Sequence, residues 1–560
     1  MSELSQEYDA LIAELTSPGA HFELVSDTQP YYKNAPANLA EAIAVGRSHG
    51  NAEFLVYEGE RFSFNDVMNA ADELSTALQA HGIRPGDRVA CAMRNYPEWM
   101  VIFIAVVNIG AVIVPVNSWG QPADIAYTVV DSGAKLVFCD QQRYDGCAGI
   151  FQEKGIEPVI ARPVDDAHPQ SLSTFVADFC GQHPQPVDIA PDDLAMIMYT
   201  SGTSGKPKGA VSTHRAISQA LFNMECAGTV GAMGNQQILA TQMEKGYRPT
   251  HLLAVPLFHV SGCYAQFLAS LRRGGRIVIM YKWDVDKALE YIEQERITQF
   301  NAAPSMYLDL LSSPNFDDTD IDSLYALGIG GAATPPKLAK LMQKKVQQNF
   351  AGAGYGLTES NAQGASLTAG AFASRPGSSG FPHPIIKLKI LAEDGNELPA
   401  GESGEIWINS VSNIREYWNR PEANAVSFRD GWLNTGDIGY LNEEGLLYLS
   451  DRAKDMIIRG GENIYPAEIE NELIEHPAVK EVAAIGVPDD RLGEQVAVVV
   501  HLQAHLTEEG LIAFAKSRLA PYKVPTQVIF SDTPLPRNPS KKLMKPVIKE
   551  SVYAQLGIGS

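Results

Sequence analysis

The eighteen residues from Trp99 to Val116 are almost all apolar, and what they become sets the class of the whole chain. A membrane-spanning helix needs about twenty apolar residues without a break. Asn108, Gly110 and Pro115 interrupt this run, so it reads as a buried helix that opens at Pro97 and passes into a buried strand, Ala111–Val114. No integral membrane segment is expected. Upstream, Ser63 and Asp66 form a capping box for a helix whose apolar positions Val67, Ala71, Leu74 and Leu78 keep helical spacing until Gly82. The strand Arg88–Met93 follows. Strand, helix and strand in this order are the rhythm of a mostly parallel sheet. It returns where helix Val285–Gln294 precedes strand Gln299–Ala302, and in strand Leu324–Ile329 before Gly330 and Gly331. The expected class is α/β.

With 560 residues the chain exceeds what one hydrophobic core sustains, so more than one domain is expected. Its character changes near Asp451-Arg-Ala-Lys-Asp455, after which come a Gly-Gly turn, an acidic helix from Pro466 and the strand Val482–Gly486. The boundary is placed there, giving an N-terminal region over 1–451 and a C-terminal domain over 452–560. The latter closes on a basic cluster, Arg537, Lys541, Lys542, Lys545 and Lys549. Elsewhere acid prevails: 44 Lys and Arg against 66 Asp and Glu leave a formal charge of -22, which opposes unguided binding to nucleic acid or anionic lipid. Six cysteines without metal spacing point to a reducing compartment. Met1–Asp9 lacks the basic-then-apolar pattern of an export signal. A cytoplasmic protein is expected.

Between the strand-like Ala195–Tyr199 and Gly209 lies Thr200-Ser-Gly-Thr-Ser-Gly-Lys-Pro-Lys208. Glycines let successive backbone N–H groups converge, hydroxyls add donors, and lysines add charge, a composition suited to polyphosphate. An exposed surface loop has the same composition. The standard P-loop is excluded: counting from Gly202, its second glycine would fall at Pro207, and Lys206 is followed by Pro207. Kinase and GTPase chemistry thereby lose their support.

Further segments accompany this loop in a fixed order: Pro256–Gly262, Gly354–Ser360, Gly431–Asp437, Asp451–Asp455, Gly460–Pro466 and Pro536–Lys542. They belong to a series of matching segments that runs from about Phe62 to Met544, and in it the chain resembles the adenylate-forming superfamily of acyl-CoA synthetases, adenylation domains and luciferases. The resemblance implies a large N-terminal region of several subdomains, with mostly parallel sheets flanked by helices, and a small mobile α+β C-terminal domain. It implies ATP, Mg2+ and coenzyme A as the groups bound. ATP contacts would come from Thr200, Ser201, Gly202, Thr203, Ser204, Gly205, Lys206, Lys208, Gly331, Ala332 and Gly356. Tyr355 would stack on adenine, Asp437 would accept from the ribose hydroxyls with help from Arg452, and Thr358 would meet the α-phosphate. Glu359 and Thr200 would hold the metal. Lys542 would neutralise the charge built as carboxylate meets phosphate. Relatives have glycine where Lys541 stands, so Lys541 could share or take that role. His259 would gate the passage from the acyl pocket, whose walls would include Ser305, Gly330, Ala332 and Gly354. Lys454 matches the hinge, and Gly460 and Gly461 match the pantetheine path.

The implied reaction has two steps: carboxylate attacks the α-phosphate of ATP, releasing pyrophosphate, and a thiol then attacks the acyl carbon. Phe258, His259 and Val260 stand where relatives that activate amino acids place an Asp, which disfavours an amino acid. Ala332, Ala333, Gly352 and Ala353 are small, which favours an open apolar cavity. A medium- or long-chain fatty acid is expected, with an aryl acid next. Coenzyme A is the expected acceptor, since only eighteen residues follow Lys542. A separate carrier protein, light emission, and a silent nucleotide-binding protein are the alternatives. Self-association as a homodimer, and the purpose of Ala232 to Tyr247, stay open.

Overall fold

The computed structural model describes residues 2–558 apart from 166–167, 201–205, 331–335, 347–349, 376, 453, 460–461, 490 and 540. The Trp99–Val116 run folds as expected, into helix Pro97–Asn108 and strand Val112–Pro115, both buried. Gly110, at φ 68°, lets the chain reverse between them. Among the described residues no helix is long and apolar enough to cross a membrane. The helix hides its apolar surface on all sides: Trp99 and Phe103 stack at 5.5 Å and both meet Phe267 edge-on. Upstream, helix Phe64–Ala80 starts with the capping box. The Ser63 N–H donates to Asp66 Oδ2 at 2.7 Å, and the Asp66 N–H donates to Ser63 Oγ at 3.1 Å.

Two large sheets build the N-terminal part. The first has seven strands in the order Glu416–Tyr417, Lys208–Thr213, Leu194–Thr200, Val112–Pro115, Arg88–Ala92, Leu136–Asp140 and Glu157–Ala161. It is parallel from Leu194–Thr200 onward, with Val89 opposite Ile113 on one side and Leu136 on the other. The second sheet has a parallel centre: Arg276–Ile279, Thr250–Leu253, Gln299–Ala302, Ala326–Ile329 and Phe350–Gly356. It continues antiparallel through Gly364–Thr368, Ser378–Pro382, Leu447–Arg452, Trp432–Leu441, Gly404–Asn409 and Lys387–Leu391. Helix Val285–Gln294 forms as expected. The strand expected from Leu324 starts at Ala326, because Leu324 closes a turn by donating its N–H to Ile321 O.

The chain changes sheet between Arg452 and Ile457. From there a separate five-stranded sheet forms, with Val479–Asp489 and Gly493–Leu502 as its long central hairpin. Apolar clusters cover both its faces, one around Ile469, Leu473 and Leu511, the other around Leu535, Ile548 and Val552. The basic cluster is largely neutralised within this unit: Arg537 pairs with Glu481 at 2.9 Å, Lys545 with Glu470 at 3.0 Å, and Lys549 with Glu494 at 3.5 Å. The stretch Ala232 to Tyr247 carries the end of helix His214–Met233 and a second helix, Gln236–Lys245. Ala232, Met233, Gln236 and Leu239 line an open surface cavity of about 790 Å³ beside Arg272 and Arg273.

Gly209 shows how tightly the site's base is packed. A Cβ there would lie 2.7 Å from Ile197 Cγ2 and 3.1 Å from the Tyr199 ring. Gly209→Val should therefore cost about 1–3 kcal/mol, read as a lower urea midpoint at an unchanged slope.

Candidate functional site

Strands Leu194–Thr200 and Lys208–Thr213 form a hairpin in which Thr200 faces Lys208. Ser201, Gly202, Thr203, Ser204 and Gly205 lie outside the described residues, so the site is read from the loop's base. Tyr199 donates its phenol to Asp131 Oδ2 at 2.7 Å, and Arg420 donates to Asp131 Oδ1 and to the Tyr127 hydroxyl, both at 2.7 Å. Burial, together with Asp131, pushes the Tyr199 phenol up, so it stays a donor. The Lys206 ammonium sits 5.2 Å from the Tyr127 ring centre, and that of Lys208 sits 4.4 Å from the Tyr417 ring centre. Both cations rest on aromatic faces.

One carboxylate oxygen gathers the next contacts. Glu359 Oε1 accepts from the Tyr417 hydroxyl at 2.9 Å and from Thr200 Oγ1 at 3.4 Å. Hard oxygen donors of this kind suit Mg2+, which takes few protein oxygens beside those of phosphate. The Glu359 carbonyl accepts the Ile414 N–H at 2.8 Å, holding the turn Thr358–Ser360 from behind.

Beneath that turn lies Asn361, buried and at φ 52°. Its Oδ1 accepts from Ser212 Oγ at 2.8 Å and from the Tyr264 hydroxyl at 2.7 Å, while its Nδ2 donates to Ser412 O at 2.7 Å. A buried amide with all these partners made is a rigid joint.

On the other side, Tyr355 donates its hydroxyl to Asp437 Oδ2 at 2.9 Å, with both side chains buried. Two glycines let the chain pass here: a Cβ on Gly356 would meet Ala362 C at 2.5 Å, and one on Gly364 would meet the Tyr355 ring at 2.9 Å. Asp437 stands opposite Arg452 in the ladder, but the Arg452 side chain lies outside the described residues. Ring and carboxylate, expected to meet adenine and ribose, thus share one wall.

Of the residues expected at the acyl end, His259, Ser305, Gly330 and Gly354 are described. His259 caps a short helix whose Cys263 N–H returns to its carbonyl at 2.8 Å. Its Nε2 is buried and meets no hydrogen-bond partner, and burial, with Lys542 adding to it, pushes the imidazole down to about 3. Lys542 therefore stands within electrostatic reach of this ring. Cβ atoms on Gly330 or Gly354 would meet no atom closer than Ala365 O, at 3.8 Å from Gly354. Gly352 corrects one expectation: its Cβ position is filled by Leu367 O at 2.7 Å and Thr368 Cγ2 at 2.9 Å. Its smallness serves strand packing, not an open cavity. Gly331, Ala332, Ala333, Gly460 and Gly461 lie outside the described residues. Lys454 is exposed just after the N-terminal sheet ends.

Lys541 proves distinct from Lys542. It stands at φ 63°, the left-handed region that favours glycine. Its N–H donates to Asn538 O at 2.8 Å and that of Lys542 to Asn538 Oδ1 at 2.9 Å. Sequence reasoning missed Tyr417, Asn361, Asp131 and Arg420 because their partners lie far along the chain. Only register brings Tyr417 beside Ala210.

Comparison with known proteins gives two family-model matches: an AMP-binding enzyme model over residues 43–418 and an AMP-binding enzyme C-terminal domain model over 468–542. The long-chain-fatty-acid–CoA ligase FadD13 of Mycobacterium tuberculosis is 35% identical over 495 residues, covering 88% of this chain and 94% of that one. A feruloyl-CoA synthase of Amycolatopsis sp is 32% identical over 502 residues, covering 89% and 96%. The solved O-succinylbenzoate coenzyme A synthetase of Bacillus subtilis, in complex with ATP and magnesium ion, superposes with a TM-score of 0.75 at 28% identity, covering 91% and 99%.

The part-buried imidazole, with its enclosed and unpartnered Nε2, sets an acid limit on stability. An unfolded His259 takes a proton below about 6.5, whereas the folded ring stays neutral down to about 3. Unfolding in that window takes up a proton, so stability falls as pH drops through it. His259→Gln should make the fall in melting temperature between pH 6.5 and 4 shallower; an equal slope would contradict a neutral ring.

Proposed function

The chain belongs to the AMP-binding enzyme family and is an ATP-dependent, AMP-forming acyl-CoA synthetase, and we propose that the acid it activates is a medium- or long-chain fatty acid. Two features support the substrate reading: the neutral His259 between Phe258 and Val260, and the open space beside Gly330 and Gly354. No ammonium-binding carboxylate stands beside His259 along the chain. An aryl acid is the alternative, and relatives named for either kind of acid are similar to this chain at nearly equal identity.

In this proposal Tyr355 and Gly356 hold the adenine, Asp437 with Arg452 the ribose, and the Thr200–Lys208 loop the pyrophosphate. Bound Mg2+, held by Glu359 and Thr200, would draw charge from the phosphate oxygens. Thr358 orients the α-phosphate. The acid's carboxylate attacks that phosphorus, the bond to pyrophosphate breaks, and Lys542 neutralises the charge that builds between two anions. His259 remains an uncharged wall, so it shapes the passage without titrating. The small domain, 452–560, would then turn about Lys454 and bring Gly460 and Gly461 to the pantetheine arm, whose thiol displaces AMP. Six unpaired cysteines, five of them buried, suit a reducing cytoplasm.

The observation that carries the reading is the Glu359–Tyr417–Thr200 cluster at the base of the loop, and Lys542 acting electrostatically on His259 supports it. Lys542→Ala should lower acid-dependent pyrophosphate exchange by about 100-fold or more while sparing thioester formation from supplied acyl-adenylate. Unchanged exchange would remove Lys542 from the reaction. A panel of acids from C4 to C18, with benzoate and cinnamate beside them, reads the substrate: thioester formation peaking among the longer chains supports a fatty acid, and a peak at the aryl acids contradicts it.

A further inference from the structure

Helix Pro304–Leu311 carries Ser305 and Asp309 one turn apart, hence on one face. Ser305 Oγ donates to the Lys541 carbonyl at 3.2 Å, a bond that joins the N-terminal part to the C-terminal unit. The same carbonyl accepts Arg537 Nη1 at 2.8 Å. Asp309 is held by the Trp283 indole N–H at 3.2 Å. Burial pushes its carboxyl up, and Lys541 and Arg537 act on it in the opposite sense, so both cations stand within electrostatic reach.

The Asn538–Lys542 turn is closed on itself as well. Asn538 receives the N–H groups of Lys541 and Lys542, and its own N–H donates to Lys542 O at 2.8 Å. Such a turn puts one residue in the left-handed region, and Lys541 occupies that place at a conformational cost that glycine would not incur. A cation kept in an unfavourable backbone position calls for a function of its own.

We propose that the Ser305–Asp309 face is the docking surface for this turn, and that Lys541 is a positioning residue which sets Lys542 over the acyl pocket for the first half-reaction. In this role Lys541 acts through the carbonyl that Ser305 grips and through the nearby Asp309. The inference rests on the adenylation reading above.

The test separates the half-reactions in Lys541→Gly, Asp309→Asn and the double variant. Each single change should slow pyrophosphate exchange by about 3- to 10-fold and leave thioester formation from supplied acyl-adenylate at the parent rate. The double variant should be no slower than the slower single, since both remove one interaction. Lys541→Gly should also raise the melting temperature by about 3 °C as exchange falls, a divergence that a purely structural lysine would not produce. Additive losses, equal losses in both half-reactions, or unchanged exchange would overturn the inference. Parent protein that exchanges with some acid while the variants match it sinks this proposal alone. Parent protein that exchanges with no acid sinks the adenylation reading and this inference with it.

Discussion

The site depends on one buried amide. Asn361 takes hydroxyls from the first sheet's Ser212 and from Tyr264, and gives its own N–H to Ser412 in the loop that leads to Glu416–Tyr417. It thereby ties three chain segments together directly under Thr358 and Glu359. The network runs deeper. Gln363 bonds the Asn361 carbonyl and accepts from Asn223, which in turn accepts from the Tyr32 hydroxyl. Buried polar groups left unpaired cost more than a made hydrogen bond returns, so the network tolerates one arrangement. That arrangement places Glu359 where Thr200 and Tyr417 both reach it.

Rigidity on that side contrasts with the few hydrogen bonds seen on the other among the described residues. The C-terminal unit has its own sheet and its own apolar clusters, and its reactive turn meets the N-terminal part through the Ser305 hydroxyl and the charges around Asp309. Few and polar contacts are what a unit needs if it must leave after one step and return for the next. In the proposed mechanism the two chemistries would follow from unequal holding: the end assigned to the nucleotide rests on a satisfied buried network, and the Lys542 end on bonds that can be exchanged.

Sequence alone carried the class, because the alternation of strand and helix and the interrupted run at Trp99–Val116 are local patterns. It also singled out Glu359, Asp437, Lys542 and their neighbours as candidates, because the motifs that hold them are contiguous. What it could not carry was pairing over distance. Tyr417 is 58 positions from Glu359 and Asn361 is 149 from Ser212; both meetings depend on strand register, which no local pattern encodes. Gly352 misled for the same reason, since Thr368 on the neighbouring strand fills the space beside it. Lys541 is the opposite case: its departure from the family's glycine was visible in the motif, but its meaning required the backbone angle.

The central claim is that an acid's carboxylate oxygen attacks the α-phosphorus of ATP. Turnover of an acid labelled with 18O in both carboxyl oxygens, followed by mass spectrometry of the products, tests it at the bond that forms. One labelled oxygen in AMP, with unlabelled pyrophosphate, is the predicted result. Label in inorganic phosphate, or AMP without label, would contradict it.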